Sequence, residues 1–295
     1  MQVFAASASL QHDPGPGHPE RPERLATVLR TLRGAAGVKL VEPPPAPLDL
    51  LLTRHSRRYL DQIAVRGRAR GNFGPDTPVG PASWDSALAA TGAALGALRH
   101  ALSGRGHGFA AIRPPGHHAL AESGMGFCLL NHVAILSAVG RTMGCGRVLI
   151  IDWDVHHGNG TQAMVEGEAE TRFVSMHQWP WYPGTGAASE RGVGNCFNLP
   201  MPAGLDRARY VEVLWDGIVA ATDDWVPDLV LISAGYDAMR GDPLGGFSLE
   251  PADFATWVTR LRERFPSRPI VALMEGGYDP DRLAAGVMAT VDALR

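Results

Sequence analysis

At positions 147–158 the chain reads RVLIIDWDVHHG, an apolar run that passes directly into acids and histidines. A run rich in Val, Ile and Leu with little polar alternation is typical of a parallel strand buried on both faces. Four further runs of this kind occur, at residues 108–112, 172–176, 229–234 and 270–274. Together they predict a sheet of mainly parallel strands.

Helical patterns separate these runs. Apolar residues recur at helical spacing near residues 22–34, 251–265 and 280–294, and an Ala- and Gly-rich stretch at 83–102 predicts a closely packed helix. Strands that alternate with helices indicate a layered α/β fold. No repeat or low-complexity linker interrupts the chain, so residues 1–295 are predicted to form one domain.

Composition limits the classes of partner. The 295 residues carry a formal net charge of −3, which gives no reason to expect nucleic acid or an anionic membrane surface. No apolar run approaches the roughly 20 residues that span a bilayer. The three cysteines are an odd number with no CxxC motif, which favours a reducing compartment. The start of the chain, residues 1–10, lacks the basic residues of a signal peptide and is predicted to contain a first strand, so the prediction is a cytoplasmic protein.

Polar residues follow five of the predicted strands. They are residues 113–118, residues 152–157, His177, Asp237 and residues 275–278. In open α/β sheets, ligands bind just beyond the carboxyl ends of the strands. We therefore expect these residues to converge on one functional site.

The densest polar cluster has the spacing of a metal site. In an extended segment Asp152, Asp154 and His156 point to the same side, and Asp237 follows another strand as a candidate third ligand for Asp154 and His156. Three protein ligands with an open position are the arrangement of catalytic zinc. The alternative is a strand end with solvated acids. Fe²⁺, Mn²⁺ or Co²⁺ could compete with zinc for two carboxylates and one imidazole.

Acid–base and oxyanion groups are available near this metal site. His117 and His118 follow a rigid Pro-Pro-Gly turn and can assist proton transfer. Tyr278 follows two glycines that allow a tight turn, so its hydroxyl is a candidate to stabilise an oxyanion. The alternative for Tyr278 is a half-buried tyrosine at the start of the last helix.

Long motifs resemble the histone deacetylase superfamily. They are HPERPERL at 18–25, RPPGHHA at 113–119, MGFC at 125–128, IDWDVHHGNGTQ at 151–162, YPGTG at 182–186, SAGYDA at 233–238, GDP at 241–243 and EGGY at 275–278. The last motif and YPGTG are similar to the class II and bacterial deacetylase-like amidohydrolase branch. The resemblance implies a single three-layer arginase/deacetylase-like α/β domain with a mainly parallel central sheet.

The resemblance also implies a role for particular residues. It makes Asp154, His156 and Asp237 ligands of one Zn²⁺, and it makes His117, His118 and Tyr278 catalytic, with Asp152 orienting His117. It implies a structural K⁺ at Asp152, Asp154, His156, Ser175 and Met176. A substrate tunnel is implied at Gly126, Phe127, Tyr182 and Leu244, and an inner channel at Arg24.

Several positions depart from the family pattern. His132 replaces a usual Asn, and the sequence suggests no mechanism for this change. Tyr182 replaces the usual tunnel Phe. Leu244 stands where polyamine-selective relatives hold an acid, which argues against polyamines. Asp76 is a candidate for the rim acid that holds the substrate backbone. The chain is short, which predicts trimmed rim loops.

The implied reaction is hydrolysis of an N-acetyl amine, with acetyl-lysine, a peptide or a small acetylated amine as substrate. Two other functions remain open at this stage. One is a binuclear manganese ureohydrolase, although Gly158 stands where a second metal would need a carboxylate. The other is a non-catalytic acyl-lysine binding module. The sequence also leaves the oligomeric state open, including a homo-oligomer.

Overall fold

The computed structural model describes all 295 residues and contains eight strands. The strands are β1 (Gln2–Ala5), β2 (Lys39–Val41), β3 (Gly108–Ala111), β4 (Val148–Asp152), β5 (Thr171–Gln178), β6 (Cys196–Met201), β7 (Leu229–Ala234) and β8 (Ile270–Met274). They form one sheet in the order β2-β1-β3-β8-β7-β4-β5-β6. Every neighbouring pair is parallel, so the sheet is parallel throughout.

Nine α-helices cover the two faces of this sheet. They are α1 (Pro22–Gly34), α2 (Leu48–Leu51), α3 (Arg57–Arg68), α4 (Ser83–Leu102), α5 (His132–Thr142), α6 (Asn159–Val165), α7 (Arg207–Ala221), α8 (Pro251–Arg264) and α9 (Pro280–Ala293). A short 3₁₀ helix occupies Ser7–Gln11. None of the helices combines the length and the apolar character needed to cross a bilayer.

Two separate cores lie on opposite faces of the sheet. One contains 41 buried residues and includes the apolar sides of α1, α7, α8 and α9. The other contains 34 and includes those of α3, α4 and α5. Alternate strand residues enter alternate cores, for example Ile151 the first and Ile150 the second. The result is a three-layer α/β structure, so the predicted fold class is confirmed.

The predicted strands agree closely with those observed. β7 and β8 have the predicted bounds, and β3, β4 and β5 differ from their predictions by one or two residues at an end. The apolar pattern does not predict β2 and β6, which are the two edge strands. β2 has only three residues, and β6 contains Asn198 and Pro200, which interrupt its apolar pattern.

The strand order brings the polar loops together. β3 and β4 are consecutive along the chain but are separated in the sheet by β8 and β7. Because all strands are parallel, the carboxyl ends of β3, β8, β7, β4 and β5 meet at one edge. The register there places Asp152 opposite both Ser175 and Ser233.

Candidate metal centre and active site

The loop after β4 folds its acids and histidine around one point. The backbone N–H of His156 donates to Asp154 Oδ1 at 3.0 Å, and His156 Nδ1 lies 3.0 Å from the same oxygen. The backbone N–H of Asp154 in turn donates to Asp152 Oδ1 at 3.1 Å. These local bonds fix the direction of both side chains before any ligand binds.

Asp237, in the loop after β7, completes this cluster. Its Oδ1 accepts from the backbone N–H of Val155 at 2.9 Å, and its Oδ2 lies 3.3 Å from His156 Nδ1. The donor atoms of Asp154, His156 and Asp237 all lie within 4.8 Å of one another. Asp237 Oδ2 is buried and has no hydrogen-bond partner. A divalent cation fits here, because it would satisfy that oxygen and neutralise two buried carboxylates.

The electrostatics of the cluster support the same interpretation. Burial and the adjacent Asp154 carboxylate raise the pKa of Asp237 to about 7. Burial alone would lower the pKa of His156, but the hydrogen bond to Asp154 and the nearby Asp237 carboxylate raise it to about 10. The fold therefore stabilises a positive charge at the point between the two carboxylates, which is the position of His156 Nδ1.

Gly276 leaves the space that the two carboxylates need. Its backbone N–H donates to Asp154 Oδ2 at 2.9 Å. A Cβ atom at this position would lie 2.0 Å from Asp237 Oδ2 and 2.6 Å from Asp154 Oδ2. No side chain can be accommodated, which explains the glycine in the loop after β8.

The tandem histidines follow β3 and have different partners. His117 Nδ1 donates to the Asp152 carboxylate at 2.9 Å, whereas His118 Nδ1 donates to the amide oxygen of Asn159 at 2.7 Å. Burial opposes a charge on both rings. The Asp152 and Asp154 carboxylates nevertheless raise the pKa of His117 well above 6.5. The pKa of His118 is lowered well below 6.5 by burial and by the neighbouring His117.

Two buried side chains hold the turn that carries these histidines. Glu275 Oε2 accepts from the backbone N–H groups of Gly116 at 2.6 Å and His117 at 3.2 Å. His132, at the start of α5, lies 3.2 Å from the Pro114 carbonyl through Nε2 and 2.9 Å from Thr91 Oγ1 through Nδ1. His132 therefore supports the backbone of the turn, a role that the sequence alone does not indicate.

Tyr278 lies over the same site from the loop after β8. Its backbone N–H donates to Asp242 Oδ2 at 2.7 Å, and the guanidinium of Arg24 lies 4.8 Å from the centre of its ring. Its ring meets that of Phe127 edge-on at 5.7 Å. Burial raises the pKa of Tyr278 well above its ordinary value of 10, so the hydroxyl keeps its proton and remains a donor.

A cavity of 260 Å³ leads from the surface to this cluster. His118, His156 and Tyr278 lie at its buried end, and the other lining residues are Asp76, Gly126, Phe127, Trp181, Tyr182 and Leu244. All four residues expected to form a tunnel are therefore among its walls. Gly126 is required there, because a Cβ atom would lie 2.4 Å from the ring of His118.

The outer part of the cavity combines aromatic surface with one acid. Trp181 is 47% exposed and its indole N–H donates to the Leu244 carbonyl at 2.9 Å, which fixes the ring at the mouth. Asp76 accepts from the backbone N–H of Gly126 at 3.3 Å. The lining contains no Lys or Arg. Asp76 is the candidate rim acid of the sequence, whereas no sequence pattern indicates Trp181.

Comparisons with known proteins agree with this geometry. The family model described as "Histone deacetylase domain" matches residues 18–294. The chain belongs to the histone deacetylase family. It is 36% identical to a "Probable deacetylase" of Archaeoglobus fulgidus, over 91% of this chain and 79% of that protein.

Two solved structures of the family superpose closely. The HD domain of HDA15 has a TM-score of 0.94 at 32% identity, covering 99% of this chain and 90% of that one. An acetylpolyamine aminohydrolase from Burkholderia pseudomallei has a TM-score of 0.90 at 26% identity, covering 100% and 98%. The predicted resemblance is thus confirmed, and membership of this deacetylase family makes the chain a metal-associated hydrolase of acetylated amines.

The residues expected to bind potassium in this family member lie beside the metal cluster. Asp152, Ser175 and Met176 are fully buried, and the register pairs Asp152 with Ser175. The hydroxyl of Ser175 lies 3.0 Å from His177 Nδ1, so His177 orients it from the same strand.

Arg24 lies behind Tyr278 rather than in the wall of the 260 Å³ cavity. It donates to the Gly277 and Glu275 carbonyls and to Glu20. Arg113 makes a two-pronged pair with the same Glu20 carboxylate at 2.8 Å. The three charged side chains are fully buried, and together they connect the first helix to the loops that carry His117 and Tyr278.

Glu20→Gln should lower the free energy of unfolding by about 3–5 kcal/mol, because it leaves two buried guanidinium groups without their carboxylate. The two arginines hold the pKa of Glu20 near 2 although burial opposes ionisation. Since the ordinary pKa is 4.5, the wild-type contribution is complete above pH 4.5 and is lost as the pH falls through 2. Urea unfolding at neutral pH measures the loss. Glu212→Gln, in an exposed pair with Arg260, is the control and should cost less than about 1 kcal/mol.

Proposed function

We propose that the chain is a zinc-dependent deacetylase that hydrolyses N-acyl amines, above all N-acetyl amines such as acetyl-lysine, to a carboxylate and a free amine. The observation that carries this proposal is the buried cluster of Asp154, His156 and Asp237 at the inner end of a 260 Å³ cavity, with His118 and Tyr278 beside it. We further propose that residues 1–295 act as one catalytic domain.

Asp154, His156 and Asp237 would hold one zinc ion. When bound, zinc polarises the acyl carbonyl and lowers the pKa of a water molecule. Iron, manganese and cobalt suit two carboxylates and an imidazole as well, so the donor set alone does not select zinc. A second carboxylate position for a binuclear manganese site is missing, because Gly158 lies against Asp152 Oδ2.

The histidines divide the proton transfers between them. His118 is neutral and its Nε2 carries no proton, because Nδ1 donates to Asn159, so it can accept a proton from the attacking water. His117 is kept charged by Asp152 and acts as the neighbouring proton store. A histidine then protonates the departing amine. Two histidines with opposite pKa shifts suit a reaction that needs both a base and an acid.

We assign to the Tyr278 hydroxyl the role of hydrogen-bond donor to the acyl oxygen. Its ring borders the cavity beside His118 and His156, and burial keeps its hydroxyl protonated. A donor that is already oriented stabilises charge that develops on that oxygen during attack. The presence of this hydroxyl and of both histidines argues against a protein that only binds acyl-lysine.

The mouth of the cavity constrains the amine side of the substrate. Trp181 and Tyr182 provide aromatic walls and Asp76 a negative charge, which suits an alkyl chain that carries or adjoins a positive charge. The structural relative named acetylpolyamine aminohydrolase supports a small acetylated amine, whereas Leu244, an apolar residue at the cavity wall, argues against polyamines. We also propose a structural K⁺ at Asp152, Asp154, His156, Ser175 and Met176.

A substrate panel tests the proposal directly. Zinc-loaded protein is assayed with an acetyl-lysine peptide, an N-acetylated diamine and a longer acyl-lysine, and released amine is measured. We expect turnover of at least one acetylated amine, loss of turnover after chelation and recovery with one equivalent of zinc per chain. Protein that binds zinc stoichiometrically but cleaves none of the three would contradict the proposal.

A further inference from the structure

A second group of metal-binding side chains lies beside the first. His117, Cys128 and Glu275 each offer one donor atom, and these atoms lie within 4.8 Å of one another. All three residues are buried, with Cys128 and Glu275 fully inaccessible. The donors bound to one tetrahedral zinc ion lie roughly 3.3–3.8 Å apart, so small side-chain shifts would bring this group into coordination.

Glu275 has an unused oxygen in this group. Its Oε2 accepts from the backbone N–H groups of Gly116 and His117, but Oε1 is buried and has no hydrogen-bond partner. Unsatisfied buried carboxylate oxygens are rare in folded proteins and call for a specific explanation. A cation that binds Oε1 would provide one.

The other two donors are suited to the same ion. His117 donates through Nδ1 to Asp152, so Nε2 is the nitrogen that can bind an ion once it releases its proton, and a carboxylate behind an imidazole is the usual support of a metal-binding histidine. The Cys128 thiol donates to the Gly126 carbonyl at 3.3 Å. One thiolate, one carboxylate and one neutral imidazole together balance a divalent charge.

We propose that His117, Cys128 and Glu275 form a second, weaker site for a thiophilic divalent cation such as Zn²⁺ or Cd²⁺, and that its occupation inhibits the enzyme. On binding, the Cys128 thiol and the His117 imidazolium each release one proton to solvent, and a metal–sulfur and a metal–nitrogen bond form. The ring nitrogen of His117 is then occupied and no longer exchanges protons. The inhibitory part rests on the proposed function, in which His117 carries a proton.

Two features explain why a cation should bind this second site only after the site formed by Asp154, His156 and Asp237 is occupied. Burial and the nearby Glu275 carboxylate raise the pKa of the Cys128 thiol well above its ordinary value, so forming the thiolate costs free energy. A cation already held by Asp154 also repels another ion near His117, whose Nε2 lies 3.8 Å from Asp154 Oδ1.

Cobalt titration tests the site without any need for turnover. The first equivalent of Co²⁺ on the apoprotein should bind without thiolate absorption, because Asp154, His156 and Asp237 contain no sulfur. Further Co²⁺ should produce a thiolate-to-cobalt charge-transfer band in the near ultraviolet. Cys128→Ser should abolish this band. Cys145→Ser and Cys196→Ser are matched controls at the other two buried free cysteines and should retain it.

Activity gives the second readout. The rate of each protein is compared with its own rate at one equivalent of zinc. Excess zinc should lower wild-type turnover by about 10²-fold, because this is the scale of acid–base assistance. Cys128→Ser should show no such fall. A wild-type titration without a charge-transfer band, or a band that persists in Cys128→Ser, would overturn the site. An enzyme that shows the band but hydrolyses no acetylated amine would retain the site and refute the proposed function instead.

Discussion

Asp237→Ala is expected to lose the metal ion and with it all measurable hydrolysis. Asp237 is one of the three proposed ligands, and its Oδ2 is buried and has no hydrogen-bond partner. Loss of a supporting residue around a metal typically costs about 10–100-fold in affinity, so loss of a ligand should exceed that. Metal content after dialysis and equilibrium zinc affinity measure the effect. Stoichiometric zinc in the dialysed variant would refute the ligand assignment.

Two further variants separate metal loss from misfolding. Asp237 also accepts from the backbone N–H of Val155, so the alanine variant leaves a buried donor unpaired. Asp237→Asn keeps an acceptor for this donor while removing the charge, and it should still bind zinc more weakly than wild type. Asp206→Ala removes an exposed helix-capping carboxylate and should cost about 1 kcal/mol of stability while retaining the metal.

Thermal unfolding of the wild-type protein gives a second test of zinc binding at this site. Asp154 and Asp237 are fully buried and close together, so removing the ion leaves their repulsion only partly offset by His156. Zinc should therefore raise the midpoint of thermal unfolding of the wild type in a concentration-dependent manner, because it binds only the folded chain. Asp237→Ala should lack this response.

The sequence predicted those parts of the fold and site that depend on local pattern. β4, β7 and β8 are buried on both faces and lie centrally, so their apolar runs are continuous and their ends clear. The cluster of candidate metal ligands could be predicted from the same strands, since Asp154 and Asp237 lie in the loops after two neighbouring parallel strands. The same pattern made His117, His118 and Tyr278 candidates and the resemblance gave them roles, and the structure brings all three to the same edge.

The remaining features depend on contacts distant in sequence. His132 supports Pro114 from the start of another helix, and Asp242 fixes the backbone of Tyr278 across 36 positions. Trp181 is positioned by a carbonyl in a loop 63 residues away. The spacing of apolar and polar residues along the chain does not indicate which distant residues form these hydrogen bonds. Asn159 is the exception, because its position between Gly158 and Gly160 in the polar loop after β4 is a sequence signal for the partner of His118.

Tyr278→Phe should leave the metal in place and lower kcat by about 10²–10³-fold, the usual loss when one oxyanion donor is removed. The ring itself should stay, because it is held by the edge-on contact with Phe127, by Arg24 at 4.8 Å and by the bond from its backbone to Asp242. Only the hydroxyl is lost, and its interaction strengthens as charge develops on the acyl oxygen. KM should therefore change little while kcat falls.

Tyr236→Phe is the matched control for this prediction. Tyr236 lies one residue before Asp237 and is also fully buried, but its hydroxyl donates to Thr290 at 2.9 Å in the core, away from the cavity. Its loss should cost about 1 kcal/mol of stability and leave kcat unchanged. Steady-state kinetics on an acetyl-lysine peptide, with zinc content measured on the same samples, compares the two variants. If kcat fell equally in both, or in neither, Tyr278 would not be the oxyanion donor.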